Sequence, residues 1–412
     1  MPKVLVGMSG GIDSSVTAYL LKEQGYEVEG ISFLMWEKTG GTAPACCSFR
    51  SIESTSRTAR MIGIRHDVID VKDDFAGKVV TPFVQAYTSG LTPNPCILCN
   101  RYIKFPHLIQ EAEKRGAEYI ATGHYARVKR EGPRVQGFKD SRIPSAIHLQ
   151  PSALLKKGID LKKDQSYVLY LLTQDILRRL ILPLGGFTKN AVRKIAGDLG
   201  LAAAECKESQ EICFIQGRNY LQFIQKFFQA EMEPGPILDL HGKIIGTHKG
   251  IYGYTIGQRK GLGIASPEPL YVTDIDIAKN TVYAGPRDSA KNKEFSVHDL
   301  NWLTPPPSQS IQWEESGSGE PTGFFRATVK VRSTMNDEPA TIFFKTNPPL
   351  PTFAFAPANP PKCGKGGKGG LSGATIVHIV FDEPQWAPAP GQSAVFYDND
   401  IVIGGGVIKR SG

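Results

Sequence analysis

The chain of 412 residues carries 48 Lys and Arg against 40 Asp and Glu, a net charge of +8, with 41% apolar residues. That length predicts two or three domains with real cores, and the charge favours an anionic partner such as nucleic acid. No apolar run approaches the ~20 residues of a membrane helix and no leader precedes the first strand, so no membrane association and a cytoplasmic location are expected.

From the N-terminus, Val4 to Met8 reads as a short apolar strand, Ser9-Gly10-Gly11 as a turn, and Ser14 to Gln24 as an amphipathic helix. The glycines let the chain turn tightly and admit a ligand close to the backbone. The helix start directs free N–H groups and the positive end of its dipole at that turn, which favours an anion. Ser9, Ser14 and Ser15 add hydroxyl donors. Asp13 is the odd member, because an acid repels a phosphate. Helix capping or a magnesium ion shared with the phosphate would account for it. A Walker loop is excluded, since no Lys lies between Lys3 and Lys22. The dinucleotide fingerprint is excluded as well, because Ile12 to Val16 supplies no third glycine. Ser-Gly-Gly-x-Asp-Ser on strand, turn and helix resembles the pyrophosphate (PP) loop of the N-type ATP pyrophosphatases, which adenylate a carbonyl and release pyrophosphate.

Val28 to Leu34 reads as a second strand, Ser51 to Ile62 as a helix, and His66 to Val71 as a third strand. Tyr102 to Arg115 is helical, and Ala117 to Thr122 is a strand leading to Gly123 and His124. This alternation predicts an α/β unit, a doubly wound parallel sheet with helices on both faces. Ligands of such sheets sit beyond the strands' C-terminal ends. The opening loop, Met35 and Gly123-His124 all fall on that edge.

Between these elements lies Asn94-Pro95-Cys96-Ile97-Leu98-Cys99-Asn100. The prolines are expected to keep it out of a helix, with a helix starting just after Cys99. A thiol at such a helix start is favoured as the thiolate, and Lys104 stands one turn on. A Cys-x-x-Cys pair can be a redox pair, half of a zinc site or part of an iron–sulfur site. The seven cysteines are Cys46, Cys47, Cys96, Cys99, Cys206, Cys213 and Cys363. An odd number argues against a structural disulfide framework. Cys213 ends a polar, acidic run and precedes an apolar one.

Asp164 to Leu182 reads as strongly helical, and Thr188 to Leu199 as a second helix capped by Thr188. The first domain is expected over 1–205. A small central domain follows over 206–268, with a helix (Asn219 to Gln229), Pro234-Gly235-Pro236, short strands and the segment Tyr254 to Ile264. The remainder, 269–412, loses the helical signal. Leu270 to Ile275 and Thr281 to Ala284 predict a hairpin across Lys279-Asn280, and Ser393 to Tyr397 pairs with Ile401 to Ile403 across Asp398-Asn399-Asp400. This part is read as a β-barrel with two irregular insertions, 304–322 and 347–373, the second holding Cys363, Lys362, Lys365 and Lys368.

Together the motifs resemble the bacterial-type tRNA-specific 2-thiouridylases, the MnmA family, over nearly the whole chain. The resemblance rests on Gly7 to Ser15, Met35, Asn94 to Asn100, Lys104 to Leu108, Ala121 to Arg127, Lys162 to Tyr170, Glu208 to Ile215, Tyr254 to Ile264 and Pro390 to Tyr397. It implies a PP-loop domain of the adenine nucleotide α-hydrolase type, ATP with Mg2+, and a tRNA substrate whose wobble uridine is flipped into the site. The uridine's carbon-2 oxygen is adenylated, and sulfur from a persulfide relay (a cysteine desulfurase system) displaces AMP. By position Cys213 is the persulfide carrier and Cys99 its partner, the two forming a transient disulfide. Gly7, Met8, Ser9, Gly10, Gly11, Ile12, Asp13, Ser14, Met35 and Gly123 would contact ATP, with Mg2+ at Asp13. Asn94, Pro95 and Cys96 would meet the target base. His124, Lys163, Asp164, Gln165, Arg332, Ser333 and Gln392 would touch tRNA. Cys96 stands where many family members have Asp, so Cys96, Cys99 and Cys213 holding a [4Fe–4S] cluster is the alternative route. Another PP-loop ligase, such as an amidating synthetase, and a tRNA-binding module without catalysis are the rival functions.

Overall fold

The computed structural model describes residues 1–36, 49–130, 153–201, 212–215, 220–228, 233–306, 311–315, 321–344 and 376–410. Cys46, Cys47, Cys206, Cys363, the whole of 347–373 and part of 304–322 lie outside them.

The expected parallel sheet is present. Its strands are β1 (Lys3–Gly7), β2 (Glu27–Leu34), β3 (Arg65–Asp70) and β4 (Tyr119–Thr122). A hairpin of β5 (Ala126–Arg130) and β6 (Ala153–Lys157) follows, and β7 (Leu180–Ile181) completes the sheet in the order β3-β2-β1-β4-β7. All four pairings are parallel. β1 and β2 read as near-continuous apolar runs because both of their faces are covered. The order reverses between β1 and β4, so a crevice opens there beyond the strand ends. The loop after β1 and Gly123-His124 after β4 flank it.

Two helical readings are corrected. The Cys-x-x-Cys segment is itself helical: helix Pro95–Cys99 runs through a π turn, Asn100–Lys104, into helix Phe105–Lys114. Pro95 occupies the first turn, where its missing N–H costs nothing and its fixed φ helps to start the helix. Asn94 is the N-cap, and its Oδ1 accepts from the Cys96 N–H at 3.1 Å. Conversely, Asp164 to Leu182 is not one helix. It breaks into a 3-10 turn (Ser166–Leu169), a short helix (Gln174–Arg179) and β7. Asp164 Oδ1 accepts from the N–H groups of Gly158 and Ser166, bending the chain before a helix can form. Tyr167 and Tyr170 then donate or share hydrogen bonds with Ser393 of the barrel. These tertiary contacts outweigh the helical pattern. The Thr188 cap does form, accepting from Ala191 N at 3.3 Å.

A small mixed sheet follows in the chain, built from β8 (Gly235–Leu238), β9 (Ile244–His248), β10 (Tyr271–Asp276) and β11 (Thr281–Gly285), antiparallel but for the pairing of β8 with β11. Strands on either side of residue 268 therefore share one sheet, whose core packs Ile237 and Ile251 with Val272, Val282 and Ala284. The predicted β10–β11 hairpin is present, and Asn280 takes φ +46 in its turn.

The C-terminal strands are β12 (Lys291–Trp302), β13 (Gln312–Glu315), β14 (Pro321–Lys330), β15 (Glu338–Phe344), β16 (Val377–Trp386), β17 (Ser393–Asp398) and β18 (Ile401–Ile408). The ring β12-β16-β15-β14-β17-β18 closes because β18 returns to β12, giving a six-stranded barrel. The β5–β6 hairpin, which carried no signal in the sequence, attaches to the outside of the ring through β18. Arg127 and Lys156 both reach Asp400, at 2.8 and 3.1 Å, and Lys157 reaches Asp337 at 2.7 Å. These pairs dock the first domain on the barrel.

Candidate active site

Gly10 turns the opening loop at φ +81. Gly11 is the N-cap of helix Ile12–Glu23, in extended conformation and with no side-chain cap. The helix's positive end therefore faces the loop without a capping side chain. Two of the hydroxyls expected to face an anion, those of Ser14 and Ser15, brace the loop instead. Ser14 Oγ donates to Gly11 O at 3.0 Å and accepts from Ser9 N at 3.2 Å, and Ser15 Oγ donates to Gly11 O at 3.1 Å. Gly7 ends β1, while Met8 and Ile12 are buried beneath the turn. A Cβ on Gly123 would stand 2.9 Å from Asp13 C and from Ser14 N. Only a glycine lets the end of β4 approach the loop so closely.

Asp13 does not cap the helix. Lys189 Nζ donates to both of its carboxylate oxygens, at 2.7 and 2.8 Å, and Tyr125 Oη donates to Oδ1 at 2.7 Å. Direct ligation of magnesium by Asp13 does not fit this arrangement, since the metal would stand beside an ammonium group. Sequence reasoning missed Lys189 and Tyr125. A signal did exist: a lysine immediately after the Thr188 cap opposes the helix dipole, which favours acids at that end.

The sulfur side lies beyond β2. Met35 is buried there, and Cys99 Sγ donates to Met35 Sδ at 3.9 Å. Cys96 is exposed at the start of its helix, whereas Cys99 is buried one turn further in. Cys213 is half-buried and packs against the same apolar cluster as Cys99. Its neighbour Phe214 is the anchor, with ring centroids 5.6 Å from Phe75, 5.3 Å from Phe83, 5.3 Å from Phe223 and 6.4 Å from Trp36. That aromatic pocket was not foreseen. Among the described residues no three His, Cys, Asp or Glu side chains gather to hold a metal ion. Cys96, Cys99 and Cys213 therefore do not fit a [4Fe–4S] cluster in this arrangement.

The residues expected to touch tRNA divide into rim and interior. Lys163 and Gln165 lie on a half-buried loop, and Gln165 Oε1 accepts from Tyr125 N at 2.9 Å. Asp164 is turned inward, its side chain 2% exposed, and holds that loop to Lys330 and Ser166. A side chain so placed cannot reach an RNA. His124 is fixed by Thr122 Oγ1 at 2.8 Å and stacks on Phe105. Burial, reinforced by the Lys104 charge, pushes its pKa down to about 3, so the ring is neutral. Ser333 is exposed. Arg332 donates from Nη2 to Ile256 O and Ala387 O, bridging the segment between β9 and β10 to the turn after β16. Burial lowers its pKa. Arg332 Nε and Gln392 Oε1 are buried and lack a partner among the described residues.

The barrel also touches the cysteine segment. Thr92 N donates to Pro390 O at 2.8 Å, and Gly391, at φ +88, leaves room for Leu91 and Thr92. Gln392 is thereby held near the turn that leads into Asn94, Pro95 and Cys96.

The glycine loop after β1 and Met35 with Cys99 after β2 thus lie at the C-terminal ends of neighbouring parallel strands, with Cys213 packed on the apolar cluster that holds Cys99. Family models match residues 2–217 (tRNA methyl transferase HUP domain), 221–286 (tRNA methyl transferase PRC-barrel domain) and 370–408 (aminomethyltransferase beta-barrel domain). The tRNA-specific 2-thiouridylase MnmA 1 of Caldanaerobacter subterraneus subsp. tengcongensis is 40% identical over 412 residues, covering 99% of this chain and 98% of the relative. The MnmA enzymes of Acetivibrio thermocellus and Clostridioides difficile are 40% and 39% identical, over 99% of this chain and 99% and 98% of theirs. With identity at that level from one end to the other, the chain belongs to the MnmA family of tRNA-specific 2-thiouridylases.

Proposed function

We propose that this chain is an ATP-dependent tRNA 2-thiouridylase. The observation that supports it most directly is the contact of Cys99 with Met35, which sets a thiol against the edge that also carries the ATP loop. In this reading Gly10, Gly11 and the start of the following helix receive the phosphates of ATP. Gly123 keeps that loop in place from below. Asn94 to Cys96 frame the flipped wobble uridine of the tRNAs for Lys, Glu and Gln. The uridine's carbon-2 oxygen attacks the α-phosphorus and pyrophosphate leaves. A poor leaving group has then become a good one. Magnesium comes with the triphosphate and not through Asp13.

Cys213 carries the sulfur as a persulfide, loaded by a cysteine desulfurase relay. The terminal sulfur attacks carbon 2 and AMP departs. Cys99 then attacks the Cys213 sulfur, which releases 2-thiouridine and leaves a Cys99–Cys213 disulfide for an external thiol to reduce. Lys163, Arg332, Ser333, Gln392 and the neutral His124 form the RNA contact, while Asp164 and Gln165 hold its loop.

The test is single-turnover thiolation of unmodified tRNA with ATP and a persulfide donor. Cys99→Ser and Cys213→Ser should each abolish 2-thiouridine, a loss of at least about 10³-fold, while pyrophosphate release continues. Full thiolation by either variant sinks the proposal. Anaerobically purified protein containing iron and acid-labile sulfide in cluster stoichiometry would instead favour the iron–sulfur route.

A further inference from the structure

We infer that Lys189 is a positioning residue of the ATP loop, and that it, not a magnesium ion, is the counter-cation of Asp13. The inference rests on the ATP reading above and deepens it. Lys189 is 5% exposed and engages both carboxylate oxygens of Asp13 at 2.7 and 2.8 Å. Tyr125 closes the pair from the other side, with its hydroxyl on Asp13 Oδ1 and its ring centroid 5.5 Å from the ammonium. The Lys189 backbone is fixed too, donating to Asp160 Oδ2 at 3.0 Å.

Each partner alone sits in the wrong place. Lys189 lies in the first turn of helix Lys189–Asp198, where the dipole disfavours a cation. Asp13 lies in the first turn of the helix that faces the triphosphate, where its charge would repel the ligand. Paired, the two cancel, and the helix start faces the triphosphate with no net side-chain charge. The lysine side of the pair is buried and the aspartate side partly open, side chains 6% against 31% exposed, so the pair adds little net stability, but removing the lysine leaves an uncompensated carboxylate beside the loop. Asp160 belongs to the loop that also displays Lys163. Lys189 therefore joins the ATP loop to the segment proposed to meet RNA.

The experiment uses the full chain and measures equilibrium binding of an ATP analogue with a methylene α,β-bridge, by calorimetry. Lys189→Met should weaken binding by about tenfold or more, about 1.4 kcal/mol. Lys189→Arg should keep it within about threefold. The double variant Asp13→Asn/Lys189→Met should recover at least about threefold over Lys189→Met, because no bare carboxylate faces the phosphates. The magnesium concentration for half-maximal binding should move by less than about threefold in Asp13→Asn.

A double variant no tighter than Lys189→Met overturns the inference, and so does a larger magnesium shift in Asp13→Asn. Should Lys189→Met fail to fold, a folded double variant supports the pairing and an unfolded one overturns it. Wild-type chain that binds no analogue overturns the ATP reading itself, an outcome distinct from both.

Discussion

The two sides of the candidate site are held by different physics. The ATP loop is set by backbone approach and by charge: Gly123 packs beneath it, and Lys189 and Tyr125 fix Asp13. The sulfur side is set by apolar packing: Cys99 against Met35, and Cys213 beside a phenylalanine sunk among Trp36, Phe75, Phe83 and Phe223. Ion pairs define a potential with little gain in stability. Apolar burial supplies stability with little electrostatic direction. Changes on the first side should therefore alter ligand binding more than folding, and changes on the second should do the reverse.

The largest effect is expected at Phe214. It is 3% exposed, and truncation to Ala empties the aromatic pocket, a change that costs about 3–5 kcal/mol in cores. In Phe214→Ala the docking of the Cys213 segment should weaken by that order, read as faster hydrogen exchange and faster alkylation of Cys213. ATP binding should stay within about threefold, a change below 1 kcal/mol. Loss of ATP binding on the same scale would merge the two sides into one. A smaller effect is expected from Gly123→Ala. The new methyl meets loop backbone, not a flexible side chain, and such overpacking costs about 1–3 kcal/mol. ATP affinity should fall by about tenfold, with Cys213 alkylation unchanged. Unaltered affinity would show that the loop can move away freely, and the backbone half of the comparison would fail.

Much of the first domain was legible because its signals are local. Glycines in the opening loop, the alternation of apolar runs and helices, and the Thr188 cap each act within a few residues. The site was half legible for the same reason. The loop and the cysteines announce themselves, but Lys189 reaches Asp13 across 176 residues of chain, and no periodicity carries that. The two misread helices fail in opposite directions. At Pro95 a local rule was applied at the wrong helix position, since proline starts a helix as readily as it breaks one. At Asp164 to Leu182 the local pattern was helical, but Tyr167 and Tyr170 are committed to Ser393 of the barrel. Asp164 reads as an exposed charge in sequence and is a buried loop anchor in the fold. The β5–β6 hairpin depends on β18 and on Asp400, so its reason to exist lies 273 residues from Arg127.

The last effect, spread over several pH units, concerns His124, which lies on the edge between the two sides. Its folded pKa, about 3, is below the ordinary value of 6.5, because burial and Lys104 disfavour the imidazolium. The unfolded chain thus binds a proton that the folded chain refuses. Stability from the neutral ring is complete above about pH 6.5 and is lost as pH falls from there toward 3, by up to ~1.4 kcal/mol per pH unit. His124→Gln keeps a hydrogen-bonding group but removes the titration, so the stability difference between wild type and variant should shrink with that slope in chemical denaturation below pH 6.5. The same neutrality separates His124 from Lys163 in RNA binding. A neutral ring releases no counterion, so His124→Gln should leave the salt dependence of tRNA affinity unchanged, whereas Lys163→Ala should reduce its slope by about one. A reduced slope in His124→Gln would mean that the ring is charged on RNA. His124 would then belong with Lys189 on the electrostatic side of the site and not among the packed residues.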